Sequence, residues 1–173
     1  MQALHSERLI DIPIESLPFV DEHSTTVAAS LDATWDALLA TCSRFGRGAG
    51  APVARALGCE HGERRGPPDR IGSTIPGFVV TRSVPPCVLA LMGAHRFSVY
   101  ALVFRLTELG GDRVQLSAET RAEFPGAAGR AYRIAVIGSR GHVVATRSIL
   151  RAVRRRAEGS PRGPLRSRPG SAD

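Results

Sequence analysis

The sequence predicts an α+β fold: a curved antiparallel sheet wrapped around a long C-terminal helix, with two short helices after the first strand. Strand-like segments come in series, as Ile71 to Ile75, Phe78 to Val84, Val88 to Met92, Phe97 to Thr107 and Arg113 to Phe124. Strands that do not alternate with helices pair antiparallel. Turn residues separate them, notably Pro85-Pro86 and Gly110-Gly111. After Phe124-Pro125-Gly126, apolar and small residues recur every three or four positions from Ala127 to Ala157, which is the period of one helix face.

Taken in order, residues 1–18 hold Pro13 and Pro18 and read as an extended lead-in. Phe19 to Ala29 is β-branched toward its end and reads as the first strand. Ser30-Leu31-Asp32 opens a helix, with Ser30 or Asp32 as N-cap. Leu31, Trp35, Leu38 and Leu39 fall at helical spacing within it. A break rich in glycine and arginine follows, then a second short helix from Ala51 to Leu57 and a polar loop from Gly58 to Asp69. On the last helix one stripe collects Ala128, Tyr132, Val136, Ser139, Val143, Thr146, Leu150, Val153 and Ala157. Arg130, Arg133, Arg140, Arg147, Arg151 and Arg154 gather on another. Gly138 and Gly141 each weaken that helix by about 1 kcal/mol relative to alanine and predict a kink. The glycine-, proline- and arginine-rich end, 158–173, reads as a disordered tail. One domain therefore spans residues 19–157.

Two neighbouring strands follow different rules. From Arg113 to Phe124 the pattern alternates: Val114, Leu116, Ala118, Thr120, Ala122 and Phe124 face in, and Arg113, Gln115, Ser117, Glu119, Arg121 and Glu123 face out. From Phe97 to Thr107 both faces are apolar. A two-residue turn at Gly110-Gly111 would point Phe97, Val99, Ala101 and Val103 inward, whereas a three-residue loop or glycine bulge shifts the parity by one. The second register brings Tyr100, Leu102, Phe104 and Leu106 inward. It buries far more apolar surface, a difference of a few kcal/mol at about 25 cal/mol per Å², so it is preferred. The small apolar face left over, Val99, Ala101 and Val103, then needs a cover from elsewhere in the chain or from a partner subunit in a homodimer.

Bulk properties exclude several classes. The chain has 173 residues and 43% hydrophobic content, which suits one soluble domain. No apolar run approaches the roughly 20 residues that span a bilayer, and acids in the N-terminal stretch argue against a secretory signal, so a cytoplasmic location is expected. Cys42, Cys59 and Cys87 have wide, irregular spacing and read as free thiols rather than a disulfide framework or metal pattern. Cys59-Glu60-His61 is too sparse for a zinc site, and neither metal nor cofactor is expected. The net charge is +7, most of it between Arg151 and the C-terminus. Every basic residue is arginine and asparagine is absent, a pattern that fits GC-rich coding. Nucleic acid ranks last among partners because no aromatic platform accompanies the charge.

The segment V-A-A-S-L-D-A-T-W-D-A-L, the hairpin G-G-D-R-V and the long final helix together resemble the helix-grip fold of the START-type, polyketide-cyclase-like superfamily known as SRPBCC. The resemblance covers roughly residues 19–157. The motifs H-R-F-S-V-Y-A-L and A-E-T-R-A-E-F-P-G-A-A-G-R-A-Y-R look like a bacterial branch of it. What the resemblance implies is a cavity between sheet and last helix for lipids, polyketides or other apolar molecules. The superfamily also includes enzymes, so the resemblance leaves the activity open.

The small inward residues Ala118, Thr120 and Ala122, opposite Ala128, Ala135, Ser139 and Thr146, suit either close packing or such a chamber. Its expected lining is Trp35 from the first helix, and Phe78, Tyr100, Leu102, Phe104, Leu116 and Thr120 from the sheet. The last helix adds Tyr132, Val136, Ser139, His142 and Val143. Tyr132 and His142 are the candidates for chemistry, as hydrogen-bond donor and as acid or base, set against the plainer reading of core side chains. His95-Arg96 reads as a strand end that could meet an acidic ligand group, and Arg130 and Arg133 as solvated arginines that could meet a carboxylate. Glu119 and Arg121 read as a surface charge pair worth under about 1 kcal/mol. No nucleophile elbow, phosphate loop or cofactor fingerprint is present. The leading expectation is binding of a small hydrophobic molecule, and the alternative is a cyclase- or dehydratase-like enzyme.

Overall fold

A computed structural model of the chain describes residues 9–44, 63–127, 129 and 141–159. Six strands form one antiparallel sheet: β1 (Phe19–Val27), β2 (Thr74–Ile75), β3 (Phe78–Val84), β4 (Val88–His95), β5 (Ser98–Glu108) and β6 (Val114–Glu123). Their order across the sheet is β1-β6-β5-β4-β3-β2. Strands β2 to β6 thus pair with their neighbours in sequence, while β1 crosses to pair with β6, leaving β1 and β2 as the edges. Helix α1 (Leu31–Cys42) follows β1, and α2 (Gly141–Glu158) comes after the sheet. The α+β, helix-grip architecture is as the series of strands implied. The second short helix, most of the last helix before Gly141 and the C-terminal tail from residue 160 lie outside the described residues. No helix among those described is long and apolar enough to cross a membrane.

Helix α1 starts where its cap allows. The Ser30 hydroxyl accepts from the Ala33 amide at 3.3 Å, satisfying one orphan donor of the first turn. The helix buries Thr34, Trp35, Ala37, Leu38 and Cys42. Thr34 is compatible with that interior because its hydroxyl donates to the Ser30 carbonyl at 2.8 Å. Burial also pushes the Cys42 thiol up to about 12, so it behaves as an inert small hydrophobe. From the other side, α2 contributes Thr146, Leu150, Val153 and Ala157, the predicted stripe. Leu150, Val153 and Ala157 meet Val27, Leu89, Leu91, Phe104, Leu106, Val114 and Leu116 in one core on the concave face of the sheet.

The β5–β6 hairpin has the three-residue register. Glu108 pairs with Val114, and the Leu109 amide donates to the Arg113 carbonyl at 2.9 Å. Gly110, Gly111 and Asp112 form the loop with φ of +82°, +60° and +52°, a left-handed run that glycine adopts without a Cβ penalty. Tyr100, Leu102, Phe104 and Leu106 therefore point to the concave side.

The other apolar face of β5 is covered by the chain's own N-terminal segment. Leu9 and Leu17 are buried against Val79, Met92, Ala94 and Ala101 on the convex face, joined by Ile10, Ile12, Ile14 and Val99. The segment is not the extended lead-in expected: Leu9 and Ile10 are helical, a short 3-10 turn follows at Ile14–Ser16, and the Pro18 carbonyl accepts from the Ala122 amide at 3.0 Å. The strap changes the standing of one pair. Glu119 and Arg121 face the convex side, as the alternation implied, but not open water: Glu119 is only 7% exposed. Its carboxylate takes bonds from Arg121 and Arg105. Arg121 also donates to the Leu17 carbonyl at 3.0 Å and the Glu15 carbonyl at 3.4 Å. The expected surface pair is therefore a clamp with a buried carboxylate, which ties strap to sheet through the bonds of Arg121 to the Leu17 and Glu15 carbonyls.

Candidate functional site

Cross-strand pairing arranges the concave face in rows. One row runs Asp21, Thr120, Leu102, Leu91 from β1 to β4. Beside it lie His23, Ala118, Phe104 and Leu89 on one side and Ala122, Tyr100 and Gly93 on the other. The face is therefore polar at the β1 edge and apolar beyond it. A register irregularity between Phe19 and Asp21 precedes the polar end, the kind of bulge that re-aims a side chain.

At the polar end two histidines converge on one carboxylate oxygen. His142 Nε2, from the first turn of α2, lies 2.8 Å from Asp21 Oδ2, and His23 Nε2 lies 3.2 Å from the same atom. A carboxylate only accepts, so each imidazole donates through Nε2 and keeps Nδ1 as an acceptor when neutral. Three atoms of this patch are buried without a hydrogen-bond partner among the described residues: Asp21 Oδ1, Thr120 Oγ1 and His142 Nδ1. Leaving such groups unpaired costs about 1–3 kcal/mol each, so the patch is chemically unfinished. Both histidines spend Nε2 on one oxygen, and no cluster of three or more His, Cys, Asp or Glu among the described residues is arranged to hold a metal ion.

The apolar end is built around Tyr100. Its hydroxyl donates to the Gly77 carbonyl at 2.8 Å, and its ring meets Phe78 edge-on at 5.3 Å. Gly93 makes this possible, since a Cβ there would lie 2.2 Å from the Gly77 carbonyl oxygen and 2.6 Å from the tyrosine. His95 sits 5.6 Å from the Tyr100 ring and accepts from the Phe97 amide through Nδ1 at 3.2 Å. Burial holds its pKa below the usual imidazole value. Arg96 lies over the Phe97 ring at 5.0 Å.

The architecture has known counterparts. An aromatase/cyclase from a Streptomyces species is 17% identical, with a TM-score of 0.53 covering 82% of this chain and 94% of that one. The chain shares the helix-grip fold of that structure. Norcoclaurine synthase from Thalictrum flavum is similar at 14% identity, with a TM-score of 0.49 over 78% of this chain and 94% of that one. No protein-family model matches the helix-grip chain, and no curated protein does.

Of the residues expected to line the grip, Phe78, Tyr100, Leu102, Phe104, Leu116 and Thr120 share this concave face, with His142 meeting its polar end. Trp35, Leu102, Phe104 and Leu116 are members of the main core and Phe78 packs against it; Phe104 and Leu116 have no exposure at all. Val143 is half-buried next to His142. Tyr132, Val136, Ser139, Arg130, Arg133 and the Cys59-Glu60-His61 stretch lie outside the described residues. Sequence reasoning missed Asp21 and His23. The available signal was the period of two along β1, which puts Asp21, His23 and Thr25 on the face of buried Val27.

Proposed function

We propose that the protein binds a small, largely apolar molecule between the concave face of its sheet and the C-terminal helical segment. The apolar body lies along Leu102, Tyr100 and Phe78, and a polar atom pairs with the patch at Asp21, Thr120 and His142. The observation that carries this reading is the set of three buried, unpartnered polar atoms at one end of an apolar face. A ligand hydroxyl or carbonyl would recover the hydrogen bonds that folding leaves unmade. The likeness in fold to an aromatase/cyclase supports a ligand of that general shape. The test is a chemical-shift titration with 1-naphthol, an apolar bicycle with one hydroxyl. Saturable shifts are expected at Thr120, Leu102 and Tyr100, and Thr120→Val is expected to weaken 1-naphthol but not naphthalene. Shifts confined to exposed residues would overturn the proposal.

A second reading, a cyclase- or dehydratase-like enzyme, is favoured by the 2.8 Å contact of His142 with Asp21. A carboxylate that fixes one ring nitrogen as donor leaves the other poised to take a proton from a bound molecule. Dehydration of an aryl β-hydroxy ketone to the conjugated enone, read by absorbance, is expected to fail in His142→Gln while 1-naphthol still binds. Equal rates in the variant and the parent chain would remove His142 from the chemistry.

A further inference from the structure

Beside His23 an opening lies between edge strand and helix. A cleft of about 360 Å³ is lined by His23, Ser24 and Thr25 of β1 and by Arg147, Leu150 and Arg151 of α2. Arg147 and Arg151 stand one helical turn apart on the same face. Among the described residues neither has a carboxylate within 4.0 Å. The neighbouring carboxylates are otherwise engaged. Asp21 holds both histidines. Glu22 is paired across from Glu119, on the convex side. Glu158 takes Arg154 at 3.0 Å and the Ala28 amide at 3.0 Å.

We infer that this cleft is a binding site for the phosphate group of a small phosphomonoester, separate from the apolar grip. Two guanidinium groups without carboxylate partners bring a fixed positive charge and a dense set of N–H donors to one concave place. The hydroxyls of Ser24 and Thr25 add shorter donors from the facing strand. A carboxylate offers two oxygens in one plane and suits a single guanidinium. A tetrahedral phosphate offers three terminal oxygens spread in space and suits donors that arrive from two elements. Leu150, 2% exposed, gives the cleft an apolar wall that keeps the local field from being fully screened. His23 is shared, since it lines the cleft while its Nε2 rests on Asp21. The site itself does not depend on anything being bound in the grip.

The experiment is a titration of the full chain with glycerol 3-phosphate and, separately, inorganic phosphate at constant ionic strength, read by amide shifts. Saturable shifts are expected at Ser24, Thr25, Arg147 and Arg151, with the ester binding at least as tightly as inorganic phosphate. The Arg147→Gln/Arg151→Gln double variant is expected to weaken the ester by about tenfold or more. The Arg155→Gln/Arg156→Gln variant, altered on exposed positions of the same helix, is expected to bind as the parent does. Binding of inorganic phosphate with exclusion of the ester would overturn the proposal. So would shifts spread over Arg154, Arg155 and Arg156 that vanish with added salt, the mark of a nonspecific polyanion surface. These shifts are read on the outer residues of β1 and α2, whereas the grip reports at Thr120 and Leu102, so the two proposals fail separately.

Discussion

Glu119 shows how far one side chain can depart from its apparent role. Burial disfavours its charged form, but bonds and charges from Arg121 and Arg105 outweigh that and leave the pKa below the usual glutamate value. A carboxyl with a depressed folded pKa adds stability that is present above the ordinary range, about 4.3, and is lost as pH falls through the folded value. Glu119→Gln is therefore expected to cost about 2 kcal/mol near neutral pH. Its loss of stability between about pH 5 and pH 3 should also be shallower than the parent's. Urea unfolding at both ends of that range checks this, and an unchanged acid limb would refute it. Gly93 makes a second single-atom case. An added Cβ meets the Gly77 carbonyl oxygen, which belongs to backbone and cannot swing aside, as well as Tyr100. Gly93→Ala is expected to cost about 1–3 kcal/mol by overpacking and to break the Tyr100–Gly77 hydrogen bond. The loss would be visible as a shift of the tyrosine ring signals.

The strap explains why β5 is apolar on both faces. Its concave side faces the helices, and its convex side faces Leu9, Leu17 and the isoleucines between them. The need for a cover was legible in the sequence, because Val99, Ala101 and Val103 had no polar partner face. Which segment supplied it was not. Ile10, Ile12 and Ile14 have the alternation of a strand, yet the prolines around them forbid a ladder, so the segment lies across the sheet without extending it. Arg121 then fixes it through the Leu17 and Glu15 carbonyls. Leu17→Ala is expected to destabilise the fold by about 2–3 kcal/mol. Removal of residues 1–17 should bare Val79, Met92, Ala94 and Ala101 as one apolar patch and cause self-association. Sedimentation of the shortened chain checks it, and a monomer as stable as the full chain would show that the strap is dispensable.

At the scale of the whole molecule, α2 is held against the sheet edge at two points far apart along β1 and the loop after it. His142 bonds Asp21 near the start of β1, and Glu158 accepts the Ala28 amide just past its end. Local rules could find the strands, the capped first helix and the buried stripe of α2, since each is written in spacing of two or of three and four. They could place Asp21 and His23 on the inner face, by counting in twos from Val27, but not bring them to the helix. Asp21 and His142 are separated by 121 positions, and no local rule spans that distance. Two anchors imply that the helix opens as a unit only when both are lost. Asp21→Asn weakens one by removing the charge that both histidines approach, and Glu158→Gln weakens the other, where the Ala28 amide holds the carboxyl below its usual pKa. Each single variant is expected to leave amide exchange through α2 near the parent rate. The double variant should speed exchange across α2 and β1 together while β4 and β5, paired on both sides, stay protected. Acceleration that is merely the product of the two single effects, or that spreads equally to β4 and β5, would mean that the helix is held by its apolar stripe alone.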